Sequence, residues 1–441
     1  MNPNLTFEQA PAISVPFRFF LTAPLFGVSA GLALAWLGPA ALESRWTPGA
    51  LALTHLLTMG YMLQAMCGAL LQFVPVSTGA NIWRPGLVAD VAHPLLALAA
   101  LLLVLAFILG WPALFKVAGP MFAAALGGYL LVVAVALWRT QARGRSLQML
   151  RLAIFGLLVT LILGTVLAVA LGWQTGWPLL VVANVHAAWG LGGWALILLV
   201  GVSYLALPMF QLTPPYPDWL TRLLPPGMLL LLCLWSLQLL AWDNAAQSWQ
   251  SGVALAGLLL SALYALVTFR LQARRRRRLV DATFLFWRGA MLSLLALAVS
   301  WAALAMLPGV AEHPRVPLWM GVLAIAGVFI TAINGMLYKI VPFLNWLHLQ
   351  KLGGLTVQPP NIRQMIPEPA MQGQLKVHFS ALILLLAAVL WPSLARLAGL
   401  LFAASCLWLE WNLVGAVRRY VVFRDRVLTD RTLADVAGRG S

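Results

Sequence analysis

The chain alternates between long apolar runs and short polar connections. A helix needs roughly 20 apolar residues to cross a bilayer. Runs near that length predict twelve transmembrane helices, at about 17–38, 51–76, 89–110, 118–138, 151–173, 180–208, 224–242, 251–271, 283–306, 317–344, 377–393 and 397–417. The last two require a hairpin between them, because Ala381 to Leu409 is nearly continuous apart from Pro392 and Arg396.

The second, sixth and tenth predicted helices share one pattern, G-x7-G-x6-P. It consists of Gly60, Gly68 and Pro75, then Gly193, Gly201 and Pro208, then Gly327, Gly335 and Pro342. This repetition predicts one all-α transmembrane domain over residues 1–419, made of three pseudo-equivalent four-helix units at about 17–138, 151–271 and 283–417. Glycines eight residues apart share one helical face, where either a neighbouring backbone or a flat ligand can approach closely.

Composition and charge agree with a membrane protein. Hydrophobic residues make up 62% of the chain and charged residues only 9%, whereas soluble domains carry roughly 25% charged residues. With the N-terminus inside, 24 of the 28 Lys and Arg fall on the inner side. The positive-inside rule therefore predicts that both termini are cytoplasmic, with a polar tail at 420–441. The net charge of +16 is explained by this topology, so no nucleic-acid partner is expected, and the bilayer is the main partner.

Two histidines stand out inside apolar segments. His55 and His186 lie in the outer third of the second and sixth helices, shortly before Gly60 and Gly193. An intramembrane histidine either has a functional role or forms a hydrogen bond between helices. Neutral imidazole is a common ligand of heme iron and copper. The matched depth of the pair favours the ligand interpretation. Weaker candidates are His93, His313, His348, His378 and the carboxyl of Glu410.

The arrangement resembles subunit I of the heme–copper oxidases. Thr54–Val76 is similar to the second helix of that superfamily and Val185–Phe210 to its sixth helix, while Phe17–Gly27 is similar to the opening of the NnrS-like proteins. The NnrS-like proteins are a heme- and copper-containing membrane family tied to nitric-oxide stress. The resemblance implies that His55 is an axial heme ligand and that His186 is a copper ligand.

The resemblance then fails at the other ligands. Leu223–Asp243 lacks the histidines of the family's seventh helix, and Leu318–Leu344 lacks those of its tenth. Reduction of oxygen by the family's mechanism is therefore not expected. What remains is a smaller site, in which His55 and His186 hold one heme b.

Several alternatives stay open at this smaller site. His55 could instead pair with Met59 or Met320, or one axial position could be open to a gas such as nitric oxide. Three methionines on the second helix could form a soft site for copper, although packing is the simpler role for them; they are Met59, Met62 and Met66.

The resemblance implies a protein of the bacterial inner membrane, acting in nitric-oxide response, electron transfer or maturation of respiratory enzymes, with a possible redox or respiratory-complex partner. Two other classes are kept. The first is a small-solute or ion permease, for which the polytopic architecture is the only support. The second is an assembly subunit that has lost its cofactor, as the missing histidines allow.

Overall fold

The computed structural model describes residues 7–177, 179–237, 247–276, 278–353 and 360–439. Within these ranges all regular structure is helical. Twelve helices there are long and apolar enough to cross a membrane: α1 Ser14–Leu42, α2 Pro48–Thr78, α3 Pro85–Leu109, α4 Pro112–Arg139, α5 Arg145–Trp173, α6 Leu179–Gln211, α7 Asp218–Ser236, α8 Ser251–Ala273, α9 Ala282–Leu304, α10 Val316–Leu352, α11 Glu368–Leu390 and α12 Pro392–Thr429. The protein is thus an all-α, multi-pass membrane protein, as predicted.

Most of the helices begin before the predicted runs, because helical hydrogen bonding starts in the polar residues that precede each apolar run. The predicted hairpin is present, since the backbone leaves the helical conformation at Trp391. The predicted end of the seventh helix, at 242, lies outside the described residues. We keep the words inner and outer for the two ends of the bundle, as the distribution of Lys and Arg predicts.

The largest difference lies at the C-terminal end. We expected the last helix to stop near 417, but the helix that begins at Ala395 continues to Arg439. No Gly or Pro interrupts residues 417–437. Tyr420 is buried in a small cluster with Leu349 and Met365. Packing against the inner ends of its neighbours therefore carries this helix well beyond the length that a bilayer requires.

The packing of the helices repeats with the period of the sequence. In each four-helix unit the first helix packs on the second, as α1 on α2, α5 on α6 and α9 on α10. The last helix of each unit packs on the first helix of the next, as α4 on α5 and α8 on α9, and α12 closes the ring on α1. The second helices α2, α6 and α10 surround a common central space.

The repeated glycines are the contact points between the first and second helices. A Cβ added at the second glycine of each pattern would lie 2.6–2.7 Å from a Cβ on the first helix of the same unit; the pairs are Gly68 with Phe19, Gly201 with Met149 and Gly335 with Phe286. The first glycine of each pattern contacts the residue that lies seven positions further along the first helix. The pairs are Gly60 with Phe26, Gly193 with Gly156 and Gly327 with Ser293. The repeat thus includes the first helices, where the sequence carries no shared pattern.

A wide helical turn occurs at the same place in all three second helices. The backbone is π-helical over Leu56–Met62, Trp189–Leu196 and Leu323–Ile330. Each segment contains the first glycine of the G-x7-G-x6-P pattern. Turns of this kind are rare and are found mostly as single bulges, frequently at functional sites.

An ion pair joins the inner ends of α9 and α10. Lys339 Nζ donates to Asp281 Oδ2 at 2.7 Å. Burial raises the pKa of the Asp281 carboxyl, but the Lys339 ammonium and hydrogen bonds from Thr283 and from the Phe284 N–H outweigh burial, so the pKa lies below its ordinary value. This carboxylate therefore stabilises the folded state at neutral pH.

Candidate functional site

His55 is held by its own helix. Its Nδ1 lies 2.8 Å from the carbonyl oxygen of Leu51, one turn earlier on α2. Because a carbonyl oxygen only accepts, Nδ1 carries the proton and Nε2 carries the lone pair. The ring stacks on Phe107 of α3, with ring centroids 5.2 Å apart. These two contacts fix both the tautomer and the plane of the imidazole.

His186 is held by the neighbouring helix. Its Nδ1 donates to the carbonyl oxygen of Thr160 on α5 at 3.0 Å, so this ring is also protonated on Nδ1. Gly164, one turn further on α5, faces the ring, and a Cβ placed there would lie 2.9 Å from His186 Cε1. The absence of a side chain at Gly164 therefore provides the seat for the imidazole.

His55 and His186 lie in the outer parts of α2 and α6, two of the helices whose inner halves line a common cavity. In the described part of the chain, the Nε2 of neither ring has a hydrogen-bond partner. Metal-bound histidines nearly always donate their other ring N–H to a carbonyl or carboxylate, which fixes the ring and raises its basicity. Both candidates show this arrangement, so each offers a free nitrogen lone pair within the outer half of the bundle.

A half-buried arginine lies at the outer end of the same region. Arg45 donates to Asn184 Oδ1 at 2.7 Å, and Asn184 precedes His186 by two residues. The guanidinium also lies over the Trp46 ring, 4.2 Å from its centroid. Burial lowers the pKa of Arg45, and none of the ion pairs in the described ranges includes it. A cation with only a neutral partner is suited to an anionic group of a ligand.

The sequence alone does not single out Arg45 as a candidate site residue. With Lys116, Arg315 and Arg396 it is one of the four basic residues that the predicted topology places on the outer side. Its position on the side that the positive-inside rule depletes, ten residues before His55, was the signal that could have identified it.

The glycines of the predicted site act in packing. A Cβ at Gly60 would lie 2.2 Å from Phe26 Cδ1, and the carbonyl oxygen of Gly193 lies 2.1 Å from the position of a Cβ at Gly156. These contacts leave no room for a flat ligand on the glycine face of either helix. The geometry favours the packing interpretation over the ligand-facing one.

The methionines of the predicted site are partly or fully buried. Met59 lies in the π-helical turn of α2 and packs against the hydrophobic core, while Met320 lies at the outer start of α10. Met62 and Met66 are members of the core itself. No group of three or more His, Cys, Asp or Glu in the described ranges could hold a metal ion. The sulfur-ligand and copper alternatives remain predictions.

A second set of polar groups lies at mid-depth between α2, α10 and α11. Tyr61 donates to Asn334 Oδ1, Asn334 Nδ2 lies 3.4 Å from His378 Nδ1, and His378 Nε2 lies 2.7 Å from Thr331 Oγ1. The Thr331 hydroxyl donates in turn to Ala326 O. His378 therefore donates from Nε2, and this buried histidine satisfies its hydrogen-bonding groups within the protein.

The predicted run 377–393 puts His378, one of the weaker candidates, near the inner end of its helix. That position was wrong, because α11 begins at Glu368 rather than near 377. The residues between carry Gln372, Gln374 and Lys376, which concealed the first turns of the helix in the hydropathy pattern. The depth of His378 follows from those added turns.

No family model matches this chain, and no curated protein matches it. The resemblance to the heme–copper oxidases stays a prediction. The function proposed below therefore rests on the contacts of His55, His186 and Arg45.

Proposed function

We propose that this protein is a heme b-binding, multi-pass protein of the bacterial inner membrane, with His55 and His186 as the residues that would hold the heme iron. The observation that carries the proposal is the matched hydrogen bonding of two imidazoles, one on α2 and one on α6. Each donates from Nδ1 to a backbone carbonyl oxygen, and each leaves the Nε2 lone pair for a metal. Two such ligands from different helices are the donor set of a low-spin b-type heme.

The surrounding residues have definite roles in this proposal. The carbonyl oxygens of Leu51 and Thr160 hold the two rings in the tautomer that ligation requires. Phe107 supports one ring and Gly164 makes room for the other. Arg45 is the cation that would receive a heme propionate at the outer end, as a charge-assisted hydrogen bond.

A bound heme would supply one-electron redox chemistry or a binding site for nitric oxide. We place the protein in electron transfer, nitric-oxide response or maturation of respiratory enzymes, with a redox partner in the membrane. Oxygen reduction of the oxidase type is not part of the proposal, because the sequences of the seventh and tenth helices carry no histidine in the segments Leu223–Asp243 and Leu318–Leu344.

The test is the visible spectrum of the protein purified from heme-replete cells. We expect a Soret band and the sharp reduced α-band of a bis-imidazole heme, and we expect both to be lost in His55→Ala and in His186→Ala. The matched control is His313→Ala, because His313 lies in an exposed outer loop. Arg45→Gln should retain the heme but lower its reduction potential, since a nearby positive charge favours the added electron.

Other outcomes would refute the proposal. A colourless wild-type protein from heme-replete cells would exclude it. Such a protein that moves a solute across vesicles would be a permease, and one that co-purifies with an oxidase would be an assembly subunit. Equal loss of the Soret band in His313→Ala would show that the two chosen histidines have no special role.

A further inference from the structure

A separate cavity lies between the inner halves of α2, α6 and α10. Its volume is about 140 Å³. The lining includes Ala69, Phe73, Val202, Ala206, Ile333 and Met336. An apolar cavity of about 150 Å³ can hold a benzene ring. The space is therefore large enough for one aromatic ring and lies apart from the two candidate histidines.

Two polar side chains break the apolar lining, and both belong to α2. Gln72 is only 8% exposed, and its Oε1 is buried without a hydrogen-bond partner. The hydroxyl oxygen of Ser77 is also buried without one. By contrast, the hydroxyl of Thr78, the residue after Ser77, donates to Val74 O at 2.7 Å, as helical Ser and Thr commonly do. The cavity thus holds two unpaired acceptor atoms, in surroundings where an unpaired polar atom costs about 1–3 kcal/mol.

The polar groups of the cavity lie on one of its three walls. Counting from the first glycine of each pattern, Gln72 corresponds to Leu205 on α6 and to Lys339 on α10, and Ser77 corresponds to Phe210 and to Leu344. Leu205, Phe210 and Leu344 also line the cavity, whereas Lys339 lies outside the lining and pairs with Asp281. The walls that α6 and α10 contribute are therefore apolar, and the wall that α2 contributes is polar. An asymmetric ligand with one polar end would fit such a wall.

We propose that this cavity binds an uncharged, lipophilic molecule of one aromatic ring that carries a hydroxyl group, a phenol or hydroquinone ring. The hydroxyl donates to Gln72 Oε1, and the ring lies among the apolar side chains. The lining contains no charged residue, which excludes an ionised ligand because a charge would lack a counter-ion there. A plain hydrocarbon would leave Gln72 unpaired. The proposal does not depend on heme at the outer site.

The test compares two probes that differ only in the hydroxyl group, 4-fluorophenol and fluorobenzene. Binding to the full chain in phospholipid nanodiscs is followed by fluorine NMR, and empty nanodiscs correct for partition into lipid. We expect the phenol to bind about 3- to 10-fold more tightly than the benzene, the factor that one additional hydrogen bond gives.

Three variants separate the possible explanations. Gln72→Leu replaces the amide by a shorter, branched apolar side chain and removes an unpaired buried group, so we expect the fold to be retained. We also expect it to remove the preference for the phenol and to leave the binding of the benzene probe unaffected. Gln148→Leu changes an exposed glutamine on α5 and should leave the preference intact. Ala206→Leu narrows the cavity and should weaken both probes.

The proposal is overturned by any of three results. These are equal binding of the two probes to the wild type, no saturable binding of either probe, and a preference that persists in Gln72→Leu. Circular dichroism of each variant identifies a loss of helical structure. A variant that fails to fold leaves the comparison of the two probes on the wild-type protein as the deciding measurement.

Discussion

The closest backbone approach between α5 and α6 provides the sharpest test of the packing. A Cβ at Gly156 would lie 2.1 Å from the carbonyl oxygen of Gly193, whereas carbon and oxygen normally come no nearer than about 3.3 Å. The neighbour is backbone, so no side-chain rotation can relieve the overlap. Gly156→Ala must therefore move α5 and α6 apart by about 1 Å.

The cost follows from two opposing effects. Overpacking of a close-packed contact costs about 1–3 kcal/mol. Replacing glycine by alanine within a helix otherwise stabilises it by about 1 kcal/mol. Gly128→Ala on α4 isolates the second effect, because a Cβ at Gly128 meets nothing within 4 Å. We expect Gly128→Ala to be as stable as the wild type or more stable, and Gly156→Ala to be less stable than either.

The assay is thermal unfolding in one detergent, followed by circular dichroism at 222 nm. The reasoning predicts a lower midpoint for Gly156→Ala than for the wild type and for Gly128→Ala. Equal midpoints for the two variants would refute it, because α5 and α6 would then not be in backbone contact at this point.

Other contacts can be perturbed in the same way. Gly164→Ala places a Cβ 2.9 Å from His186 Cε1. If the heme proposal holds, the Soret band of this variant should be weaker than that of Gly128→Ala. An unchanged band would count against the placement of the His186 ring. Tyr61→Phe removes the hydrogen bond to Asn334 and should lower the free energy of unfolding by roughly 0.6–1.7 kcal/mol, which an unaltered unfolding midpoint would contradict. Because the pKa of Asp281 is lowered in the folded state, its stabilisation is present above the unfolded value of about 3.9 and is lost as the pH falls through the folded value. Acid unfolding of Asp281→Asn below about pH 4 should therefore be less steep than that of the wild type.

The twelve spans could be predicted because lipid leaves the backbone few choices. Each segment must satisfy its own hydrogen bonds, so an apolar run of sufficient length becomes a helix. The same argument could not place the inner boundary of α11, where polar residues continue the helix below the apolar run. It also could not anticipate the long continuation of α12, which depends on the packing of Tyr420 at the inner surface.

The candidate residues His55 and His186 can be chosen from the sequence, but their contacts cannot be predicted from it. The limits of the apolar runs predict how far along its helix each histidine lies, and they predict the same depth in the membrane for His55 and His186. The carbonyl groups that orient the two rings belong partly to another helix, so their positions depend on packing. The G-x7-G pattern likewise fixes a face of α2 and α6 but does not specify what lies opposite. Only the structure shows that the first helix of each unit lies there.

The π-helical turns of α2, α6 and α10 have a consequence for how the two ends of the bundle relate. Each wide turn accommodates an extra residue, so the outer and inner sections of one helix have separate rotational settings. Deleting one residue within Leu56–Met62 would restore the regular pitch and turn His55 by about 100° around the helix axis relative to Gln72. The imidazole would then leave its contact with Phe107, while Gln72 kept its place in the cavity wall. Insertions and deletions at these three turns would therefore change the orientation of the outer helix sections without changing that of the inner sections that line the cavity.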